Sequence, residues 1–374
     1  MASHSVLPLT ASPAGPEAPG ASRGLTGQVT RIAPGGAKSV LAGNLPSYFA
    51  PGEGAVGPAG LAVSGNTLWL AIGGSGAGYT QVQPLPNEAS VVRISLPGGA
   101  VTKVADLGAY EVANNPGGFA IDTDPYGLAR AADGTIYAAD AGGNTVYRIS
   151  PTGQLSVAAV LPGVPIPPGV PVPPGGNPER GGANESDPVP TGVAIGRDGS
   201  VYVGMLTGFP FIPGAAKVVR LGANGTTTDV ARGLTMVTGV AVGPDGNVYA
   251  SEISTNFNIT ATPPQIAPGR VVRILPNGSI QAVAEGLMAP NGIAFDRAGN
   301  LYVVANSAFG PPNAGQVVRC DRVAAPAAGL PATGSAPPVS PARSLPLALA
   351  WPALALVAAA AAGTRAIARR RRAS

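Results

Sequence analysis

Histidine and cysteine are almost absent from this 374-residue chain, which has one of each, His4 and Cys320. A single cysteine excludes an intrachain disulfide but not export, because exported bacterial proteins often lack cysteine. With its one histidine in a Pro/Ala-rich N-terminal stretch, the folded core has no histidine acid–base chemistry and no histidine-ligated metal. Charged residues make up only 11% and aromatics 5%. No acidic residue follows residue 333, whereas six of the 23 Lys and Arg do, so residues 1–333 carry 17 bases against 19 acids. A folded part without a concentrated basic face has little to offer phosphates, and nucleic acid is not an expected partner.

Glycine (54) and proline (41) are plentiful, and 45% of residues are hydrophobic. That combination describes many short strands joined by tight turns. A repeat confirms the texture. The unit reads P-x-G-[VLI]-A-[VF], a short turn with D-G or G-N, then an apolar-aromatic run, at 58–71, 125–140, 190–204, 237–251 and 290–304. After a variable loop it continues as V-x-R-[IL] with a P-x-G-type turn, as in VVRISLPGG (91–99) and VVRILPNG (271–278), and closes on an apolar stretch. D-G and N-G permit the positive φ of hairpin turns, and V-Y-V alternation puts side chains on both faces of a sheet. Four-stranded sheets of this kind bury both faces only when stacked around an axis. The expected fold is an all-β propeller of six blades over residues 27–320. The recurring Arg31, Arg93, Arg148, Arg220, Arg273 and Arg319 fall at one register of the third strand, where a guanidinium stem covers the neighbouring strand.

Counting strands exposes a deficit. The V-x-R strand occurs six times, beginning with VTRI (29–32), but the paired inner strands occur five times. The first blade is therefore expected to be incomplete at the N terminus and the last to lack its outer strand. Residues 1–26 read as a disordered tail without the apolar core of a signal peptide, so the missing strands and a leader are expected upstream of Met1. Failing that, the ring would close with five blades, residues 28–42 completing the last. Residues 162–190 form a Pro/Gly-rich excursion, and 109–124 a second loop richer in acids.

The tail orders four elements: LPATG (330–334), a Pro/Ala-rich linker within 321–343, 21 uncharged residues at 344–364, and a basic end at 365–374. An uncharged helix of that length spans about 31 Å, enough for a bilayer core, with the arginines cytoplasmic. This order resembles the sorting signal of sortase-anchored wall proteins. The resemblance implies Leu330, Pro331, Ala332, Thr333 and Gly334 as the sortase motif, cleavage between Thr333 and Gly334, and covalent attachment to the cell wall. The expected location is extracellular, at the wall or membrane.

ADLGAYEVANNPGG (105–118), the DPYGLARAADGTIYAADAGGNTVYRISPTG that follows at 124–153, and TGQVTRI (26–32) resemble the ScyD/ScyE family, exported proteins with NHL-like propeller repeats. The likeness covers roughly 26–320 and implies fold and export, with no established general activity, so the expected role is a binding or scaffold module whose ligand the sequence does not name. The lack of core histidine argues against streptogramin lyase-type chemistry. The alternative is a calcium-dependent lactonase, because PNGIAFDRAGNLYVV (290–304) resembles a repeat of gluconolactonase-like propellers, which implies Asn291 as a metal ligand. The corresponding positions elsewhere are Ala59, Tyr126, Thr191 and Thr238. Asp140, Glu252 and Asn306, at the ends of second strands, are the other oxygen donors to a Ca²⁺ ion, which wants six or more convergent oxygens.

Overall fold

A computed structural model describes residues 2–3, 22–50, 54–74, 83–170, 172, 174–258, 265–308 and 314–324. The first blade contains β1 (Ala2–Ser3), β2 (Ser22–Ile32), β3 (Lys38–Ala50) and β4 (Gly54–Val56). The second contains β5 (Pro58–Ser64), β6 (Thr67–Ile72), β7 (Ser90–Ser95) and β8 (Val101–Asp106). The third contains β9 (Pro125–Arg130), β10 (Ile136–Asp140), β11 (Thr145–Ile149) and β12 (Leu155–Val160). A small ribbon of β13 (Val164–Pro165) and β14 (Glu185–Ser186) precedes the fourth blade, formed by β15 (Pro190–Ile195), β16 (Val201–Met205), β17 (Ala216–Leu221) and β18 (Thr227–Leu234). The fifth blade is β19 (Val237–Val242), β20 (Val248–Glu252), β23 (Gly269–Ile274) and β24 (Ile280–Leu287), with β21 (Phe257–Asn258) and β22 (Gln265–Ile266) pairing in its long loop. Among the described residues the sixth has β25 (Ile293–Phe295), β26 (Leu301–Ala305) and β27 (Gln316–Cys320). The chain is an all-β, six-bladed propeller.

The innermost strands β5, β9, β15, β19 and β25 stand side by side in that order. The repeat's glycine makes this spacing attainable. A Cβ on Gly60, Gly127, Gly192 or Gly239 would come within 2.4, 1.9, 2.5 and 2.6 Å, respectively, of the next inner strand's backbone. Hydroxyls latch the same junctions: Thr191 Oγ1 donates to the Val237 carbonyl (2.7 Å) and Thr238 Oγ1 to that of Pro290 (2.9 Å). Between blades lie apolar layers such as Ala71, Val91, Leu128, Ile136, Tyr147 and Ile149. The third-strand arginines lie directly opposite second-strand aromatics, as in Trp69–Arg93, Tyr137–Arg148, Tyr202–Arg220, Tyr249–Arg273 and Tyr302–Arg319. Arg273 lies 5.5 Å over the Tyr249 ring, as expected of an amphipathic side chain, whereas Trp69 is covered by Arg130 at 4.6 Å.

The two ends of the ring differ. One carries turns of a few residues, each closed by paired backbone bonds such as Ala131 N–H to the Thr135 carbonyl and Gly243 N–H to that of Asn247. The other end, where second strands finish and innermost strands begin, carries the long connections of the described residues, among them 107–124, 206–215 and the excursion that holds β13 and β14.

Four expectations change. Residues 22–26, assigned to the tail, extend β2, because Ser22–Gly24 pair with Ser47–Phe49 of a long outer hairpin. Within the 109–124 loop lies helix α1 (Leu107–Asn114), started by Asp106, whose side chain accepts from the Ala109 N–H, and anchored by the buried Leu107. Residues 161–189 are not merely an extended loop, since β13, β14 and a short 3₁₀ turn at Pro178–Arg180 organise them. The five-bladed closure is not adopted, because β2 and β3 build their own sheet. Among the described residues no helix is long and apolar enough to cross a membrane, and the LPATG motif and 344–364 lie outside them.

Candidate functional site

The long-loop end holds two polar features, one at the axis and one between blades. At the axis, Tyr126 and Asn291 occupy the same register on the third and sixth blades, which face each other across the ring. Asn291 Nδ2 donates to the Tyr126 hydroxyl at 2.5 Å, a bond spanning 165 residues of sequence. Burial pushes the Tyr126 hydroxyl up to about 12, with the Asn291 bond opposing and the Asp124 charge adding to the rise. Tyr126 therefore stays protonated and bridges the axis.

Beside this pair, Asp124 and Asp140 form a tight carboxyl pair at the entrance to β9. Asp140 is fully enclosed, and it accepts from the Asp124 N–H (2.6 Å), the Gly143 N–H (3.2 Å) and the Thr123 hydroxyl (2.9 Å). Burial raises it to about 6, those bonds holding it below what burial alone would impose. Asp124 as a residue keeps some exposure, but its Oδ1 is sealed from solvent and has no hydrogen-bond partner. Burial first, then the charge of Asp140, raises Asp124 to about 8, with the Gly74 N–H lowering it in part. At neutral pH the pair thus holds a proton on Asp124.

This gives a prediction with a definite sign. An acid whose folded pKa exceeds its unfolded value keeps its proton only when folded between the two values, here from 3.8 to about 8. Across that interval the unfolded state binds fewer protons, and stability falls as pH rises. Asp124→Asn is expected to flatten most of this decline and to raise the unfolding midpoint at pH 8, with little change near pH 4. Melting curves from pH 4 to 9 check it, and parallel profiles for the two proteins would refute the pairing.

At the long-loop end of the third blade, between the 107–124 connection and the Pro178–Arg180 turn, a small cleft is lined by Glu111, Asn115, Phe119, Asp122, Asn144 and Arg180, among others. Arg180 forms one wall, its side chain only 7% exposed. Its Nε donates to Glu185 (3.1 Å) and its Nη1 to Asp187 (3.4 Å), and its guanidinium lies 4.7 Å over the Phe119 ring. Asp187 also accepts from Asn144 (3.1 Å) and Asn177 (2.8 Å), which ties the excursion to the third blade. Opposite, the buried Glu111 accepts from the Tyr147 hydroxyl at 2.7 Å. Burial raises Glu111, the Tyr147 bond opposes this, and the Asp140 charge adds to it. The cleft offers fixed hydrogen-bonding groups and the edge of an aromatic ring, without a nucleophile–base pair.

Each of the four donors considered for calcium has a hydrogen-bond partner within the chain. Asn291 engages Tyr126, and Asp140 serves the Thr123–Asp124 turn. Glu252 accepts from Arg270 and the Thr235 N–H, and Asn306 donates to the Ala314 carbonyl. No two of them share a hydrogen-bond partner. No three Asp, Glu, His or Cys side chains gather as a metal requires among the described residues. Cys320 is free and half-buried at the end of β27, and burial pushes its thiol up, away from reactivity. Tyr126, Asp124, Glu111 and Arg180 were not singled out by sequence; the only signals were the register that Tyr126 shares with Asn291 and the acid-rich composition of 109–124.

No family model and no curated protein matches the chain, so the ScyD/ScyE resemblance rests on its motifs. Solved structures do align. A gluconolactonase from Xanthomonas campestris shows 16% identity over 83% of this chain and 86% of its own, with a TM-score of 0.44. Regucalcin, a calcium-binding protein from Agrobacterium tumefaciens, shows 15% identity over 72% of each chain, with a TM-score of 0.43. Virginiamycin B lyase from Staphylococcus aureus shows 17% identity over 71% of this chain and 70% of its own, with a TM-score of 0.42.

Proposed function

We propose that this chain is a binding module displayed outside the cell, anchored through its C-terminal tail, and that it takes its ligand on the long-loop end of the propeller. The observation that carries this reading is the one-sided distribution of connections. Every long loop and the polar cleft share one end, while the other is closed by minimal turns. Loops held by a rigid scaffold are where binding surfaces form. The inventory of groups favours binding over turnover. The axial amide and hydroxyl satisfy one another, and the sole histidine is His4.

The anchoring half rests on the order LPATG, linker, uncharged span and basic end. A sortase would join Thr333 to a wall amine, and 344–364 would hold the precursor in the membrane until then. In a sortase-bearing host, Thr333→Ala is expected to move most of the protein from the wall fraction to the membrane fraction. Identical fractionation of the two forms would show that the hydrophobic span alone anchors the chain.

A further inference from the structure

The cleft at the long-loop end of the third blade is acidic at its floor and apolar nearer its mouth. Glu111 is 1% exposed, and its two carboxyl oxygens are used differently. Oε2 accepts from the Tyr147 hydroxyl, whereas Oε1 has no hydrogen-bond partner among the described residues and is not sealed from solvent. An acceptor this deep is costly to leave unpaired. The amides beside it are already committed. Asn115 donates to the Phe119 carbonyl and accepts from the Gly118 N–H, and Asn144 donates to Asp187 and accepts from the Val189 N–H. Asp122 and Glu179 add two more carboxyl groups to the lining. Arg180, the one cation in that lining, is held between Glu185 and Asp187. The buried Asp140 stands behind Gly143, whose N–H it accepts. Phe119 and Val160 also line the cleft and are 41% and 39% exposed. Asn115 caps the C-terminal end of α1, the end of a helix that favours positive charge.

We propose that this cleft binds the ammonium group of an alkylamine on Glu111 Oε1, with the alkyl stem against Phe119 and Val160. The inference rests on the reading of the long-loop end as a binding face and names the ligand class for it. An ammonium carries three donors and no acceptor, so it suits a site whose unspent polar group is a carboxyl oxygen. A hard metal ion wants six or more oxygens, and the amides of the lining have theirs engaged. An anion would meet three carboxyl groups and one cation already paired with two others. Burial raises the Glu111 carboxyl, the Tyr147 bond opposes this, and the Asp140 charge adds to it. Tyr147, edge-on to Tyr110 at 5.6 Å, is itself raised by burial and stays a donor. Only the ionised carboxyl takes an ammonium. Binding therefore releases the proton that Glu111 holds at low pH, and affinity rises as pH climbs through its raised range. A free amine and the lysine side chain of a peptide both carry this group.

The probes are n-butylammonium, Nα-acetyl-lysinamide and the neutral n-butanol, titrated calorimetrically into the full chain in mild detergent at pH 5 and pH 8. Repeating each titration in a buffer of different ionisation enthalpy reads the protons released. Saturable binding of the amines is expected at pH 8, with a dissociation constant of about 1 mM or tighter, and none of the alcohol. At pH 5 the amines are expected to bind more weakly and to release protons. Glu111→Gln still offers Tyr147 an acceptor, so the fold is kept; it is expected to weaken amine binding by about tenfold or more and to abolish proton release. The alcohol control needs no variant, which keeps the test independent of folding. Tighter binding of the lysinamide assigns the site to peptides, and tighter binding of butylammonium to free amines. Equal binding of alcohol and amines would overturn the ammonium assignment while leaving the cleft a binding surface. Amine affinity unchanged in Glu111→Gln would place the contact elsewhere and overturn it too. No saturation with any probe would mean that solvent alone fills the cleft, which overturns the proposal and leaves only the rest of the long-loop end to the binding reading.

Discussion

Gly127→Ala is expected to lower the propeller's unfolding midpoint by roughly 5–9 °C, whereas Gly292→Ala leaves it unchanged or slightly higher. The two positions are equivalent in the repeat and differ only in what faces them. At Gly127 an added Cβ would stand 1.9 Å from the Thr191 carbonyl oxygen and 3.2 Å from the Val193 amide nitrogen. Both are backbone atoms of β15, so no side chain can swing aside and the inner strands must separate. Overpacking of this kind costs up to about 3 kcal/mol. The loss of unfolded-chain freedom on replacing glycine returns about 0.4–1 kcal/mol. At Gly292 only the second effect operates, since no described residue lies within 4 Å of an added Cβ. Thermal melts of the two variants measure the contrast directly, and equal shifts would mean that the inner strands do not meet as described.

The inner strands were legible in the sequence because each blade writes the same short constraint, a glycine where backbones meet and an alternation that sets the faces. The arginines at one register and their opposed aromatics follow from the same alternation. The irregular connections were not legible. Helix α1 is eight residues long, includes Gly108, and is fixed by one Asp106 cap and the burial of Leu107; neither leaves a period in the sequence. Arg180 sits in a Pro/Gly-rich stretch that reads as solvated, yet it is enclosed because Glu185, Asp187 and Phe119 converge from other parts of the loops. The Tyr126–Asn291 bond was half-visible. Register placed both residues at the axis, but only the geometry of opposed blades shows that a tyrosine is long enough to satisfy the amide.

Glu252→Ala is expected to cost about 3 kcal/mol, a fall of roughly 6–12 °C in the midpoint, and to do so equally with and without a calcium chelator. Glu252 closes β20 and is fully buried. One carboxylate oxygen accepts from Arg270 Nε at 2.5 Å and the other from the Thr235 N–H at 2.7 Å. Truncation strands both donors. Thr235 is 4% exposed, so its amide gains little from water, and the Arg270 side chain, 25% exposed, recovers only part of its hydration. That partial recovery places the effect at the lower end of the usual 3–5 kcal/mol for breaking a buried ion pair. Glu252→Gln keeps an acceptor for Thr235 but loses the charge and the acceptor for Arg270, so about half the loss is expected. The chelator arm separates this account from calcium ligation. If Glu252 held a cation, chelation would bring the unaltered protein down towards the alanine variant, and the variant would no longer respond. An unaltered midpoint that ignores the chelator, above a variant that melts early in both conditions, is the signature of the Arg270–Glu252–Thr235 bridge. The opposite pattern would return the axial end of the propeller to the calcium-dependent lactonase reading.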